Sequence, residues 1–153
     1  MTRLSNYDKF PFVSVGSEQE CSVGWEAIAA QLTPHLQPHS VLCVECYPGA
    51  FVDQIRAGLL SAFPASKVLL SEDCLKTPRK LRAMLDPLLG TDRVFGHMSR
   101  IRLEDYFDSQ RLVRMRAEVA REAENAPVIV LGAGASFISP ENAVVVYADM
   151  ARW

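Results

Sequence analysis

The stretch Glu45-Cys46-Tyr47-Pro48-Gly49-Ala50-Phe51-Val52-Asp53 follows an apolar run and precedes a helical pattern. In an α/β chain that is where a phosphate-binding loop lies, with the N–H groups of a helix amino terminus aimed at the anion. Such a loop also needs a Lys for the β/γ-phosphates and a Ser or Thr for magnesium, at the spacing GxxxxGK[ST]. Here there is one glycine, no lysine and no hydroxyl at the needed offset, and Glu45 and Asp53 would repel phosphate. Tyr47, Pro48 and Gly49 stand as candidate ligand contacts in a turn whose plainer reading is structural. A second glycine pair, in Gly132-Ala133-Gly134-Ala135-Ser136, also ends an apolar run. Phe137-Ile138-Ser139-Pro140 supplies neither a helix nor a third glycine, so the dinucleotide fingerprint is weak, and Ser136 lacks the GxSxG elbow of a nucleophile. Two glycines at a strand end mark a tight path or a close backbone approach, which leaves Gly132, Gly134 and Ser136 as further contact candidates.

The densest polar signal is Gly90–Arg102, with Thr91, Asp92, Arg93, His97, Arg100 and Arg102 among apolar neighbours. Asp92 and Arg93 fit a structural ion pair. Alternatively Arg93, Arg100 or Arg102 would clamp an anion such as a phosphosugar, because a guanidinium fits phosphate bidentately. Asp73 and Asp105 are the carboxylates best placed for acid–base or magnesium work, against a reading as caps and solvated charges. Cys43 and Cys46 match CxxC, but residues three apart on a strand point to opposite faces, whereas redox and zinc pairs sit on a helix start or a knuckle. Cys21 and Cys74 have no partner spacing, and four cysteines in a chain of this size read as free thiols. His35 and His39 are four apart, yet Pro34 and Pro38 rule out the helix that would align them. No metal ligand set and no catalytic residue is assigned.

These residues must be positioned by one domain, since 153 residues leave no room for a second. A 49% hydrophobic, 22% charged composition is that of a soluble protein, and a net charge of −2 gives no footprint for nucleic acid. No run approaches the roughly 18 apolar residues of a membrane span, and Met1–Asp8 has no signal-peptide core, so the cytoplasm is the default location.

Residues 1–20 read as an extended arm anchored by Tyr7, Phe10 and Phe12. Ser22 is the expected cap of a helix carrying Trp25, Ile28, Ala29 and Leu32, stopped by Pro34 and Pro38. The run from Val41 to Val44 suits a strand covered on both faces, followed by a helix lined by Phe51, Ile55 and Leu59. Lys67–Leu70 is a second strand, with Ser71-Glu72-Asp73 at its carboxyl end. Thr77 and Pro78 open a helix bearing Leu81, Met84, Leu85 and Leu88. Val94–Ile101 is read as a strand, and Asp108 as the cap of a helix carrying Leu112, Met115, Val119 and Ala120. Val128–Leu131 and Ala143–Ala148 are the last strands. Strands alternating with helices predict an α/β fold: three layers, a mainly parallel sheet with flanking helices and right-handed crossovers. Trp153, five residues beyond a buried strand, suggests a piece of something longer.

Five stretches together, Tyr7–Pro11, Cys46–Gly49, Thr91–Gly96, Gly132–Ser136 and Tyr147–Trp153, resemble the amino-terminal region of a bacterial class I mannose-6-phosphate isomerase-like family. The resemblance implies a degenerate P-loop, nucleoside-kinase-like α/β domain ahead of a cupin domain that holds the zinc and the isomerase site. It therefore implies no cofactor in this chain and no catalysis by it. As partners it suggests a phosphosugar or nucleotide, and the missing domain or a second copy met through the Trp153 end. The alternative is a small-molecule phosphotransferase with a non-standard site from Tyr47–Gly49, Asp73, Arg93 and Arg102, or a nucleotide- or phosphosugar-binding domain with a non-standard phosphate site.

Overall fold

The computed structural model describes residues 21–90 and 98–149. Four strands, β1 (Val41–Cys46), β2 (Lys67–Leu70), β3 (Val128–Gly132) and β4 (Val144–Ala148), form one sheet in the order β2-β3-β1-β4. Every pairing is parallel, with Cys43 opposite Val130 on one side and Val145 on the other. The apolar run of β3 is buried along its whole length, and β1 is buried except at Glu45, as expected of central strands covered on both faces.

Alternation along β1 and β3 divides the core in two. Val41, Cys43, Val128 and Val130 face α4 (Ser109–Ala123), which contributes Leu112, Met115, Val119 and Ala123. Leu42, Val44, Ile129 and Leu131 face α2 (Val52–Ala62), which contributes Val52, Ile55 and Leu59, while Leu32 of α1 (Trp25–Leu32) packs against the same cluster. The result is a three-layer α/β sandwich. Trp25 fixes α1 on α2 through Gly58, where an added Cβ would lie 2.3 Å from the indole. The outer face of edge strand β4, on the α4 side, stays bare: Val145 is 63% and Tyr147 58% exposed.

The fourth helix, α3 (Pro78–Leu89), has no buried residue. Thr77 caps it and Pro78 opens it, as the sequence predicts. The chain that leaves toward α3 and returns from it is closed at a neck. Leu75 and Phe107 form an isolated antiparallel bridge, Lys76 N–H donates to Tyr106 O (2.9 Å) and Asp108 N–H donates to Cys74 O (2.8 Å). Arg111 adds Nη1 bonds to the carbonyls of Asp73 and Leu75.

Asp108 caps α4 as expected, accepting from the N–H groups of Gln110 and Arg111 and pairing with Lys80. The Arg111 amide and the Lys80 ammonium hold its carboxyl below the usual aspartate range. Because the native value lies below the unfolded one, near 3.8, the contribution is complete above that value and is lost as pH falls through the depressed native value. Asp108→Asn is expected to flatten this acid limb of the stability curve, measured by urea unfolding at stepped pH, while stability near neutrality falls with the lost ion pair.

Four expectations change. The last strand, read as buried, is edge strand β4, whose residues alternate between half-buried and exposed because only one neighbour pairs with it. Ser22 does not cap α1: the helix begins at Trp25 after Gly24, and the Ser22 hydroxyl accepts from Gln31 Nε2 instead. Phe51 precedes α2 at the cap position and is 70% exposed rather than lining its inner face. Met98–Ile101 is irregular, not strand, and the rest of that expected strand lies outside the described residues, as do the amino-terminal arm and Trp153.

Candidate functional site

In an open α/β sheet a ligand crevice forms beyond the strand carboxyl ends, where neighbouring strands send their connections in opposite directions. β1 and β3 are such a pair. β1 continues through α2 toward β2 on one side, while β3 continues to β4 on the other side of β1. The two stretches singled out in the sequence, Tyr47–Gly49 and Gly132–Ser136, therefore lie side by side at the switch point.

The glycine loop is held by the strand next to it. Gly132 (φ 126°) and Gly134 (φ 77°) take left-handed backbone conformations, and Ala135–Phe137 follows as a 3-10 turn. The N–H groups of Gly134 and Ser136 both donate to the Glu45 carboxylate, at 2.5 Å to Oε1 and 2.8 Å to Oε2. Successive N–H groups after a left-handed residue make a concavity that suits an anion, and here the anion is the chain's own. On the other side of the loop the buried Ser71 hydroxyl donates to Ala133 O at 2.8 Å. Phe107 stands edge-on to Phe137 with ring centroids 5.4 Å apart, closing the loop from below.

A cleft of about 590 Å³ opens over the carboxyl ends of β1, β2 and β3. Cys46, Leu70 and Leu131 form its floor, and Pro48, Gly49 and Val52 one wall. The opposite wall is the neck, through Leu75, Leu103, Tyr106 and Phe107. Its polar lining residues among the described ones are Ser71, Glu72 and Tyr106, with Gly132 beside them; no described Lys or Arg lines it. A second cavity, about 470 Å³, lies by the amino-terminal end of β1, between Val41, Arg116 and Ile138. Arg116 there is engaged by the Phe137 carbonyl at 2.7 Å, and that end of a parallel sheet is not where its crevice forms.

The structure brings together Pro48, Gly49 and Gly132 in the cleft lining, with Tyr47 beside them, its N–H donating to Ala148 O. Gly134 and Ser136 serve Glu45 instead. Asp73 is exposed on the 3-10 turn after β2, outside the cleft lining, and Arg102 points to Glu104 in an exposed pair at 3.5 Å. Asp105 accepts the Arg102 N–H, as a turn cap does. Asp92 and Arg93 lie outside the described residues. Cys43 and Cys46 belong to opposite core faces, and burial pushes both thiols, and that of Cys74, above their ordinary value, so none is a ready thiolate. Among the described residues no group of three His, Cys, Asp or Glu gathers to hold a metal ion, and no helix is long and apolar enough to cross a membrane.

Sequence reasoning missed Ser71, Glu72 and Tyr106 as cleft residues and saw in Glu45 only a charge. A carboxylate at the end of an otherwise apolar central strand was the available signal, because such a charge needs partners.

A family model described as a domain of unknown function, DUF8485, matches residues 24–153. The chain belongs to this family. Comparison with curated proteins returns no match, and neither does comparison with solved structures. For the DUF8485 domain, then, the site rests on its own geometry: a β1–α2 turn without a cation, an amide pair already holding a carboxylate, and an apolar cleft between them and the neck.

Proposed function

We propose that this chain is a non-catalytic, degenerate P-loop-like domain of a cytoplasmic mannose-6-phosphate isomerase-like protein. It serves regulation, assembly or docking, and the zinc and the isomerase site belong to a cupin domain outside this chain. The observation that carries the non-catalytic part is Glu45 in the amide pair of Gly134 and Ser136. Where phosphoryl transfer needs positioned cations around phosphate, the switch crevice presents a fixed carboxylate, and the β1–α2 turn has no lysine. The exposure of Val145 and Tyr147 on the α4-side face of β4 favours a docking role for that edge of the sheet.

Titration calorimetry of the chain with magnesium-ATP is expected to give no binding heat at millimolar nucleotide, and a coupled assay no interconversion of mannose 6-phosphate and fructose 6-phosphate. Nucleotide binding would overturn the degenerate-loop reading, and turnover the non-catalytic one. The cleft favours a second reading, a small-molecule binding domain with Pro48, Gly49 and Gly132 at its edge. A phosphotransferase built on Asp73 and Arg102 draws no such support, because neither residue lines the cleft.

A further inference from the structure

We infer that the cleft over the carboxyl ends of β1, β2 and β3 takes an apolar ring-bearing amine, and that Glu72 selects its positive charge against a phosphate. The inference rests on the binding-domain reading and names the ligand class for that same site.

The size and position of the cleft call for a small molecule. About 590 Å³ at the topological switch point is the volume and place of a ligand pocket in an open α/β sheet. Its walls are hydrocarbon and aromatic: Val52, Leu70, Leu75, Leu131, Tyr106 and Phe107. Apolar surface of this kind recognises a ring by burial, at about 25 cal/mol per Å² removed from water. Charge then decides which ring-bearing molecule. Glu72 is exposed at the rim, and among the described residues none hydrogen-bonds or ion-pairs with its carboxylate, whereas the neighbouring Ser71 hydroxyl is committed to Ala133 O. The two amides that would accept a phosphate beside the cleft are filled by Glu45. No described cation lines the cleft to replace them. A phosphate would thus meet two carboxylates and no donor pair, while an ammonium meets an acceptor that no described residue engages.

Three matched probes separate burial from charge: 1-naphthylmethylamine, 1-naphthalenemethanol and 1-naphthyl phosphate, titrated into the full 153-residue chain and followed by amide NMR shifts. The amine and the alcohol are expected to shift Gly49, Val52, Ser71, Gly132 and Ala133. The amine should bind about two- to five-fold more tightly than the alcohol, the range of an exposed ion pair, and the phosphate more weakly than either. Glu72→Gln should bring amine and alcohol to equal affinity and leave alcohol binding unchanged. Because the Glu72 carboxylate bonds to no described residue and the substitution leaves its carbonyl bond to the Leu75 N–H in place, the melting temperature of that variant should match the parent. Tightest binding by the phosphate, an unchanged amine preference in Glu72→Gln, or no cleft shift with any probe would each overturn the inference. Absence of cleft shifts alongside silent magnesium-ATP titrations would remove the ligand and leave the degenerate-loop reading standing.

Discussion

Gly132→Ala is expected to destabilise the domain by about 3 kcal/mol, combining a left-handed backbone imposed on a residue with a Cβ and a steric overlap in a packed site. At φ 126° the new methyl would sit 2.3 Å from Ser71 Oγ, and Ser71 cannot swing away without giving up its bond to the Ala133 carbonyl. The measurement is urea unfolding, with the midpoint falling at unchanged slope. A second variant separates the two causes. Ser71→Ala alone is expected to lower stability by about 1–2 kcal/mol through the carbonyl left without its donor. In that background Gly132→Ala should cost less than in the parent, since the oxygen it struck is gone and only the backbone strain and a 3.5 Å contact with the residue 71 Cβ remain. Equal costs in both backgrounds would mean that Ser71 does not press on this glycine, and a Gly132→Ala protein as stable as the parent would refute the loop geometry.

Glu45→Ala is the other large effect, expected at about 3 kcal/mol, because it removes two charge-assisted bonds and strands the N–H of buried Gly134, while that of exposed Ser136 turns to water. Glu45→Gln retains one acceptor oxygen and turns an amide N–H₂ toward an N–H donor, so about half of that loss is expected. Hydrogen exchange identifies the cause: the amides of Gly134 and Ser136 should be protected in the parent and lose protection selectively in Glu45→Ala, ahead of the β3 amides. Uniform loss of protection across β1 and β3 would instead assign Glu45 a general packing role.

The frame was legible wherever a local rule decides the outcome. Unalternated apolar runs marked β1 and β3 as strands covered on both faces, though the same rule misread edge strand β4, and Pro78 and the Asp108 cap announced their helices because such signals are written within a few residues. The rule failed at Ser22, whose hydroxyl is used by Gln31 nine positions away, and at Phe51, whose apolar character placed it on a helix face one residue before the helix begins. Strand order was not legible, since pairing β3 between β1 and β2 is a property of the assembled sheet rather than of any segment. The site divides the same way. Glycines at strand ends drew attention to the turn and the loop, but the meeting of Glu45 with amides 89 and 91 positions downstream leaves no local trace. Nor does the neck, a single bridge between Leu75 and Phe107, because one pair of residues has no period to read.

That neck also partitions the molecule in time. With Leu75 and Phe107 pinned together, α3 hangs from a closed ring with no fully buried residue, and its Lys80–Asp108 ion pair with the α4 cap is mostly solvent-exposed on the lysine side, so it should unwind before β2 or α4. Local opening free energies scale with what each unit buries. The domain should accordingly behave as two exchange units: α3 amides equilibrating with solvent through frequent small openings, and β1 and β3 amides waiting for the whole sandwich to come apart.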